Sequence, residues 1–308
     1  MNDYTSHVSV LKDECLRFLT ENISSQSEPK LNFADLTFGG GGHSCAILNT
    51  DERIHLFSTD QDPEALANGY ALLSSQNLKE RCELLAMNFS DFPEYMNKTY
   101  PEKKLKGILM DLGVSSHHFD KGDRGFSFRF EAALDMRMNH HDDTIMTAAD
   151  LINDLPEEKI ANLIYEYGED RLSRVIARKI VEARKTKRIE TTKELENICF
   201  HAYPAKQRHG GAHPATRTFQ ALRIAVNQEL HILTDVIPRL IPLLDEGGRL
   251  AIISFHSLED RIIKVAFKEA ALRDEVLLLT KKPIGPTEDE IKNNFRSRSA
   301  KLRVIEKR

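Results

Sequence analysis

The feature that most constrains the fold of this chain is a glycine-rich loop between two apolar, strand-like segments. The loop reads Asp35-Leu-Thr-Phe-Gly-Gly-Gly-Gly-His43, and the second segment ends in Ser58-Thr-Asp60. Glycines let the backbone approach a ligand closely, and an acidic residue at the end of the next strand accepts hydrogen bonds from ribose hydroxyls. The pattern therefore predicts a strand–loop–helix–strand unit that binds a ribose-and-adenine ligand.

The loop also restricts which ligand of this kind is bound. It lacks the lysine of a P-loop, and His43 and Ser44 follow Gly42 where a dinucleotide fingerprint needs a third glycine. No basic residue lies in the loop to hold a pyrophosphate. S-adenosylmethionine fits better, because it carries ribose and adenine without phosphate. A nicotinamide-dependent oxidoreductase shares the strand–loop–acid pattern and stays open as an alternative, which NADH binding would favour.

Apolar, β-branched runs bounded by turn residues recur along the chain and predict strands. They are Leu31–Phe38, Ile54–Thr59, Cys82–Met87, Leu105–Leu112 and Arg249–Phe255. Helical patterns such as Pro63–Leu78 separate the early runs, and this alternation predicts a parallel sheet. Ligands bind at the carboxyl ends of such strands. Four polar residues are expected there, namely Asp35, Asp60, Asp111 and Ser254.

The alternation stops after Ser116, and the middle of the chain is wholly helical in pattern. The predicted helices are Ala148–Asn153, Glu157–Tyr167, Arg171–Arg184 and Thr192–Ala202. Late extended segments at Val276–Thr280 and Lys301–Glu306 predict an antiparallel edge pair. The expected fold class is α/β, a Rossmann-like sheet of the class I methyltransferase type with an inserted helical domain. The expected bounds are 1–139 and 213–308 for the sheet domain and 140–212 for the inserted substrate-recognition domain.

The formal net charge of -4 conceals two strongly basic segments. Arg171–Arg188 holds eight Lys/Arg against one Glu, and Lys292–Arg308 holds seven against one. Two basic segments on an acidic body favour a polyanionic partner such as nucleic acid. The first segment is also compatible with a solvated helix face. A non-catalytic RNA-binding or assembly factor would keep both segments but would not bind the cofactor.

Other bulk features narrow the class of protein. No apolar stretch is long enough to cross a bilayer, and residues 1–10 carry no basic-then-apolar signal segment. The cysteines lack disulfide or metal spacing, which predicts buried thiols in a reducing cytoplasm, and the histidines lack metal-site spacing. We expect a cytoplasmic protein with no membrane partner and no metal. The four cysteines are Cys15, Cys45, Cys82 and Cys199.

Three further residues lie where they can act on a ligand. Asp111 ends the fourth strand run, where it can face a substrate or cap the following turn. Phe89 follows the third run and can stack on adenine or pack in the core. His256 opens a helix after the fifth run and is a candidate proton acceptor or RNA contact, or a local cap.

Taken together, these strings resemble the ribosomal RNA small-subunit methyltransferase H family, the MraW-type bacterial enzymes, over nearly the whole chain. The matching strings are H-V-S-V-L at His7, T-F-G-G-G-G-H-S, S-T-D-Q-D-P, M-D-L-G-V-S-S, R-G-F-S-F, L-D-M-R-M, Y-G-E-D-R, H-P-A-T-R-T-F-Q and I-S-F-H-S-L-E-D-R. The resemblance implies S-adenosylmethionine-dependent methylation of the N4 amino group of a cytidine in the decoding region of 16S rRNA.

The resemblance also implies site residues. The cofactor-binding residues carried over by motif are Gly41, Gly42, His43, Asp60, Phe89, Asp111 and His118. His118 departs from the family pattern, which commonly reads S-S-P-Q where this chain has Ser115-Ser116-His117-His118. The residues that we expect to contact RNA are Arg174, Arg178, Arg184, Arg217 and His256.

For the chemistry, Asp111, neighbouring backbone carbonyls or His256 could hold the target amine, and we take Asp111 as the catalytic candidate. The cytosine amine is a poor nucleophile, so positioning and preorganised acceptors are the contributions that the protein can make. Methylation at C5 would instead need a cysteine near the fourth strand, and we expect none of the four cysteines to be placed there. The expected partner is 16S rRNA, within the 30S subunit by hypothesis. A non-ribosomal substrate and a homo-oligomer are left open.

Overall fold

The computed structural model describes residues 9–21, 23, 26–113 and 122–308. His118 and its neighbours at 114–121 lie outside the described residues. The chain forms two compact units, Met1–Gly113 with Leu230–Arg308, and Val114–Glu229. The second unit is longer than the 140–212 segment expected to recognise the substrate, and that functional role stays a prediction.

The first unit is built on a seven-stranded sheet of order β3-β2-β1-β4-β5-β7-β6. The first five strands pair in parallel, and β7 is antiparallel to both β5 and β6. The predicted strands and the antiparallel edge pair are confirmed, as is the Rossmann-like α/β class. The strands are β1 (Leu31–Asp35), β2 (Ile54–Asp60), β3 (Cys82–Ala86), β4 (Leu105–Asp111), β5 (Leu244–Ser254), β6 (Val276–Leu278) and β7 (Lys301–Lys307).

Apolar residues cover both faces of this sheet, which explains why the strands read as near-continuous hydrophobic runs. Neighbouring residues alternate between two core clusters: Phe33 and Leu109 belong to one, and Ala34 and Ile108 to the other. The described helices of this unit are α1 (Lys12–Thr20), α2 (Gly42–Leu48), α3 (Pro63–Ser75), α4 (Phe92–Thr99), α10 (Glu229–Leu240, from the unit boundary), α11 (Ser257–Leu272) and α12 (Glu288–Asn293).

The second unit is helical and has a core of its own, formed by apolar side chains such as Ile164, Ile176 and Leu222. Capping boxes at Thr147 and Thr191 fix the starts of two of its helices, because each threonine accepts from the third helical N–H. The predicted helices are confirmed. They are α5 (Ala148–Asp154), α6 (Glu157–Gly168), α7 (Ser173–Arg184) and α8 (Thr192–Ala202), followed by α9 (Ala215–Val226). None of the helices in the described part of the chain is long and apolar enough to span a bilayer.

Candidate functional site

The candidate site lies where the strand order of the sheet reverses. β1 lies between β2 and β4, so the connections that leave β1 and β4 diverge and open a crevice at their carboxyl ends. Asp35 ends β1, Asp60 ends β2 and Asp111 ends β4. Three carboxylates therefore meet at one edge of the parallel sheet.

The glycine loop is held in place by Asp60. The carboxylate of Asp60 accepts a hydrogen bond from the N–H of Gly39 at 2.8 Å and another from the N–H of Asp62 at 2.9 Å. Its two oxygens thus tie the loop to the start of α3. The contact with a ribose that the sequence predicts for Asp60 stays a prediction, and the observed bonds give this residue a second role in shaping the loop.

Gly41 is required by its surroundings. Its φ is +76°, and a Cβ at this position would lie 2.7 Å from both Leu72 Cδ2 and Phe38 Cζ. A side chain here would therefore be strained and would collide with the packing beneath the loop. The glycine keeps the loop close to the core, while Gly42 and His43 open α2.

A buried polar network lies beneath the loop and is centred on Asp35, which is fully buried. Ser44 Oγ donates to Asp35 Oδ2 at 2.6 Å and lies 2.8 Å from Ser58 Oγ, while the N–H of Thr37 donates to Asp35 Oδ1 at 3.2 Å. Burial raises the pKa of Asp35 to about 6, although His43, Ser44 and Thr37 act in the opposite direction. The roles of Ser44 and Ser58 were not apparent from the sequence, since small polar residues in a strand and a helix carry no distinctive pattern.

His43 and Asp111 lie close together in the site. His43 Nε2 lies 3.5 Å from Asp111 Oδ2, and His43 is only 5% exposed. Burial opposes protonation of His43, but the neighbouring Asp111 and Asp35 outweigh it, so the pKa of His43 is raised. The N–H of Asp111 donates to Thr37 Oγ1 at 2.7 Å, which fixes the end of β4 against the loop.

Several polar atoms of this pair are buried without a hydrogen-bond partner among the described residues. They are Nδ1 and Nε2 of His43 and Oδ1 of Asp111. Buried polar atoms are seldom left unsatisfied, and such groups call for a ligand or water. An acceptor of this kind suits an ammonium group, such as the amino group on the methionine part of S-adenosylmethionine.

Phe89 lies in the turn after β3, half-buried against the core that includes Met87. The neighbouring Asn88 donates to Gln61 Oε1 at 2.8 Å and accepts from the N–H of Ser90 at 3.0 Å. These bonds join the turns that follow β2 and β3. Phe89 thus lies at the carboxyl ends of the strands, where ligands are expected, and its stacking on adenine stays a prediction.

His256 is the N-terminal cap of α11. Its Nδ1 accepts from the N–H of Glu259 at 3.4 Å, and the Glu259 carboxylate accepts in return from the N–H groups of Phe255 and His256. Of the three roles considered for His256, capping of the helix is therefore the one that its ring performs in the structure. A role in RNA contact or proton transfer stays a prediction.

The arginines predicted to contact RNA differ in their surroundings. Arg178 is 67% exposed and lies 4.0 Å from Glu157, while Arg174 is exposed and donates to Asn162 at 2.6 Å. Arg217 is exposed and donates to the carbonyl of Glu169 at 2.9 Å. These three side chains lie at the surface of the second unit.

Arg184 is engaged within the fold of the second unit. Its guanidinium donates to the carbonyls of Ile152 and Leu155 at 2.6 and 2.8 Å. These carbonyls lie at the end of α5, where helices leave acceptors unsatisfied. Arg184 therefore acts as a cap for α5, a role that the spacing of residues does not reveal.

All four cysteines are free and buried, as predicted. Cys15 on α1 lies close enough to Asp111 for that carboxylate to raise its pKa, although burial contributes more. The sequence had placed no cysteine near the end of the fourth strand, and the packing of α1 brings this one there. Because burial and neighbouring carboxylates both keep Cys15 protonated, its thiol is a poor nucleophile.

Comparison with known proteins assigns the chain to a family. Residues 4–308 match the model of the MraW methylase family. A protein from Picosynechococcus named ribosomal RNA small subunit methyltransferase H is 47% identical over 300 residues, which are 97% of this chain and 96% of that protein. Proteins of the same name from Nostoc and Heliobacterium mobile are 46% and 43% identical over 302 and 317 residues, each covering 98% of this chain and 93% and 98% of theirs. This chain therefore belongs to the MraW methylase family.

Proposed function

We propose that this enzyme transfers a methyl group from S-adenosylmethionine to the N4 amino group of a cytidine in the decoding region of 16S rRNA. The relatives named as ribosomal RNA small subunit methyltransferases support an rRNA substrate. The observation that supports the proposal is the buried acceptor Oδ1 of Asp111, which lies beside His43 where the strand order reverses and has no hydrogen-bond partner among the described residues. This is the position at which sheets of this kind bind their ligands.

The residues at the strand ends fit the cofactor. S-Adenosylmethionine supplies an electrophilic methyl group on a sulfonium when it is bound. In this proposal Asp111 provides negative charge at the crevice, Asp60 accepts from ribose hydroxyls, and Phe89 covers adenine. Because the glycines of the loop have no side chains, the ligand can approach the backbone of the loop closely.

Asp111 is also our candidate for holding the target amine. The exocyclic nitrogen of cytosine is a weak nucleophile because its lone pair is delocalised into the ring. An acceptor fixed in the site can hold an amine hydrogen and orient the nitrogen for in-line attack, and it stabilises positive charge as that charge develops. The hydrogen bond from the N–H of Asp111 to Thr37 Oγ1 fixes the backbone that carries this carboxylate.

The exposed arginines of the second unit supply the RNA-binding part of the proposal. Arg174, Arg178 and Arg217 present positive charge at the surface of that unit, and phosphate contacts of this kind account for most of the affinity for RNA. We propose that the substrate is the folded 30S subunit, because a helical unit that reads surrounding RNA has more to bind there than on a short strand.

The test is methyl transfer from radiolabelled S-adenosylmethionine to 30S subunits from cells that lack the enzyme. The rRNA is then digested to nucleosides and analysed by mass. N4-methylated cytidine that appears with the parent enzyme and is lost in Asp111→Ala is the expected result. The same assay on protein-free 16S rRNA should give a slower reaction.

Three outcomes would count against the proposal in different ways. Label in another nucleoside, or at another position of cytidine, would keep a methyltransferase and replace the target. Cofactor binding with no label in rRNA would move the substrate to another class of molecule. Equal rates on naked rRNA and on 30S subunits would remove the particle from the proposal.

A further inference from the structure

A second cleft lies on the first unit, between the turn that follows β5 and the segment that leads into β7. Its volume is about 620 Å³, within the range of sites that hold small molecules or single nucleotides. Phe255 and His256 line it from the β5 side, and Pro286, Arg298 and Lys301 from the other. None of the catalytic or cofactor-binding roles proposed above uses this cleft.

The lining of the cleft is apolar and basic. Phe255, Pro286 and Ile291 provide apolar surface, while Arg298 and Lys301 provide positive charge, and no carboxylate is among the lining residues that the structure describes. The charge of Lys301 is partly offset, because its Nζ lies 3.3 Å from Asp260. Such a mixture suits a ligand with a flat ring and a phosphate.

Carboxylates do occur on the helix that precedes the cleft. Glu288 and Asp289 are exposed in the first turn of α12, and Asp289 is paired with Lys292 at 3.1 Å. These two carboxylates are not among the residues that line the cleft. The lysine and the arginine that line the cleft, Lys301 and Arg298, are both cations that an anionic ligand could contact.

An exposed aromatic ring stands in the short helix Phe295–Ser299 that borders the cleft. Phe295 is 69% exposed, and the guanidinium of Arg298 lies 5.7 Å from its ring centroid. The backbone beneath is fixed, since the buried Ser297 donates through Oγ to the carbonyl of Asn294 at 2.8 Å. An exposed ring held in place beside arginine is the arrangement on which bases of single-stranded nucleic acid stack.

The cleft also adjoins the candidate active site. A Cβ built on Gly113, two residues after Asp111, would lie 3.4 Å from Phe255 Cδ2. β4 and β5 are paired up to Asp111 and Ile253, just before these residues. The cleft therefore lies beside the end of β4, which carries Asp111.

We propose that this cleft, together with Phe295, binds the single-stranded RNA next to the nucleotide that is methylated. A base stacks on Phe295, and the adjoining phosphates meet Arg298 and Lys301. This inference rests on the proposed function in taking RNA as the substrate, and it adds a second contact site on the sheet unit to the arginines of the helical unit.

The test is the affinity of the full chain for a fluorescently labelled single-stranded oligoribonucleotide of about ten nucleotides, measured by anisotropy over a range of salt concentrations. Phe295→Ala should weaken binding about fivefold to tenfold, because stacking on a ring is lost. Phe295→Tyr keeps the ring and should bind as the parent does. Arg298→Ala should lower the salt slope by about 0.7.

Two surface changes on α11 serve as matched controls. Leu272, which is 77% exposed, and the exposed Lys268 lie outside the cleft, so Leu272→Ala and Lys268→Ala should bind as the parent does. Thermal melts of all variants check that each is folded. Unchanged affinity and salt slope in both Phe295→Ala and Arg298→Ala would overturn the inference, as would failure of the parent to bind the single strand.

The same preparations separate this inference from the proposed function. Methylation of 30S subunits by the parent is assayed in parallel. Absence of N4-methylated cytidine with the parent enzyme rejects the proposed function whatever the variants bind. Normal methylation together with unchanged RNA binding by the variants rejects the cleft alone.

Discussion

Nε2 of His43 lies 3.5 Å from Oδ2 of Asp111, so the first turn of α2 is joined to the end of β4 across the point where the strand order reverses. Both residues are carried by elements that the sheet holds rigidly. The contact leaves Asp111 Oδ1 as a buried acceptor without a hydrogen-bond partner in the described part of the chain. Two residues far apart in sequence thus form one pair, which includes a carboxylate, at the carboxyl ends of the strands where a ligand is expected.

Asp111→Asn should reduce the affinity for S-adenosylmethionine about 10-fold to 100-fold, the range expected when a hydrogen bond to a charged group is lost. The amide keeps the shape of the side chain but offers only one acceptor oxygen and no charge. Isothermal titration with S-adenosylmethionine measures the effect. Asp91→Asn, at an exposed carboxylate of the same unit, is the control. Equal affinity in Asp111→Asn and the parent would remove Asp111 from cofactor binding and leave only its proposed role toward the target amine, which the methylation assay tests.

Gly41→Ala should lower the free energy of unfolding by about 2–4 kcal/mol, because a positive φ and a steric collision act together. Two other glycines separate these causes. Gly247 has a φ of +71° and open space around it, and Gly210 has open space without a positive φ. Urea unfolding should show a loss of about 1 kcal/mol for Gly247→Ala and almost none for Gly210→Ala. A Gly41→Ala variant no less stable than Gly247→Ala would contradict the packing argument.

Asp35 should make the chain less stable as the pH rises. Burial raises its pKa to about 6 from an ordinary value of 3.8, so between these values the folded state binds more protons than the unfolded state. The free energy of unfolding should then fall by about 3 kcal/mol over this range through Asp35 alone.

Asp35→Asn removes that titration while keeping an oxygen that can accept from Ser44. The stability of the variant relative to the parent should therefore increase by about 3 kcal/mol between pH 4 and pH 7. Chemical unfolding at a series of pH values measures it, with Asp91→Asn to correct for loss of a surface carboxylate. A difference that does not change with pH would mean that Asp35 is ionised as readily in the folded chain as in the unfolded one.

Much of the fold followed from sequence because its signals are local. The strands of the sheet are buried on both faces and read as apolar runs, and Pro63 after Asp62 marks the start of α3 at the residue where it begins. The edge pair of β6 and β7 was predicted as well. Its place beside β5, with β7 between β5 and β6, is set by long-range pairing that no local pattern records.

The residues of the candidate site that end strands could be predicted from the sequence, and the contacts made by other elements could not. Asp35, Asp60 and Asp111 each follow an apolar run, so the parallel sheet alone places them together. The contacts that organise them come from other elements, such as Ser44 on α2 bonding to Asp35, and from Cys15 on α1 packing near Asp111. Such contacts depend on how helices lie on the sheet, which residue spacing does not specify.

The arginines of the second unit show the same limit of prediction from sequence. The sequence predicted an RNA contact for both Arg184 and Arg178, but their surroundings in the structure differ. Arg184→Ala removes bonds to the carbonyls of Ile152 and Leu155 and should lower the free energy of unfolding by about 1–3 kcal/mol. Arg178→Ala, at a side chain that is 67% exposed, should change stability by less than about 0.5 kcal/mol. The binding of the Arg178→Ala variant to 16S rRNA should weaken, with a salt slope lower by about 0.7 to 0.9.

Thermal melts and filter binding of both variants measure the two effects. A stable Arg184→Ala with weakened RNA binding would reverse the assignment and return Arg184 to the RNA-binding surface.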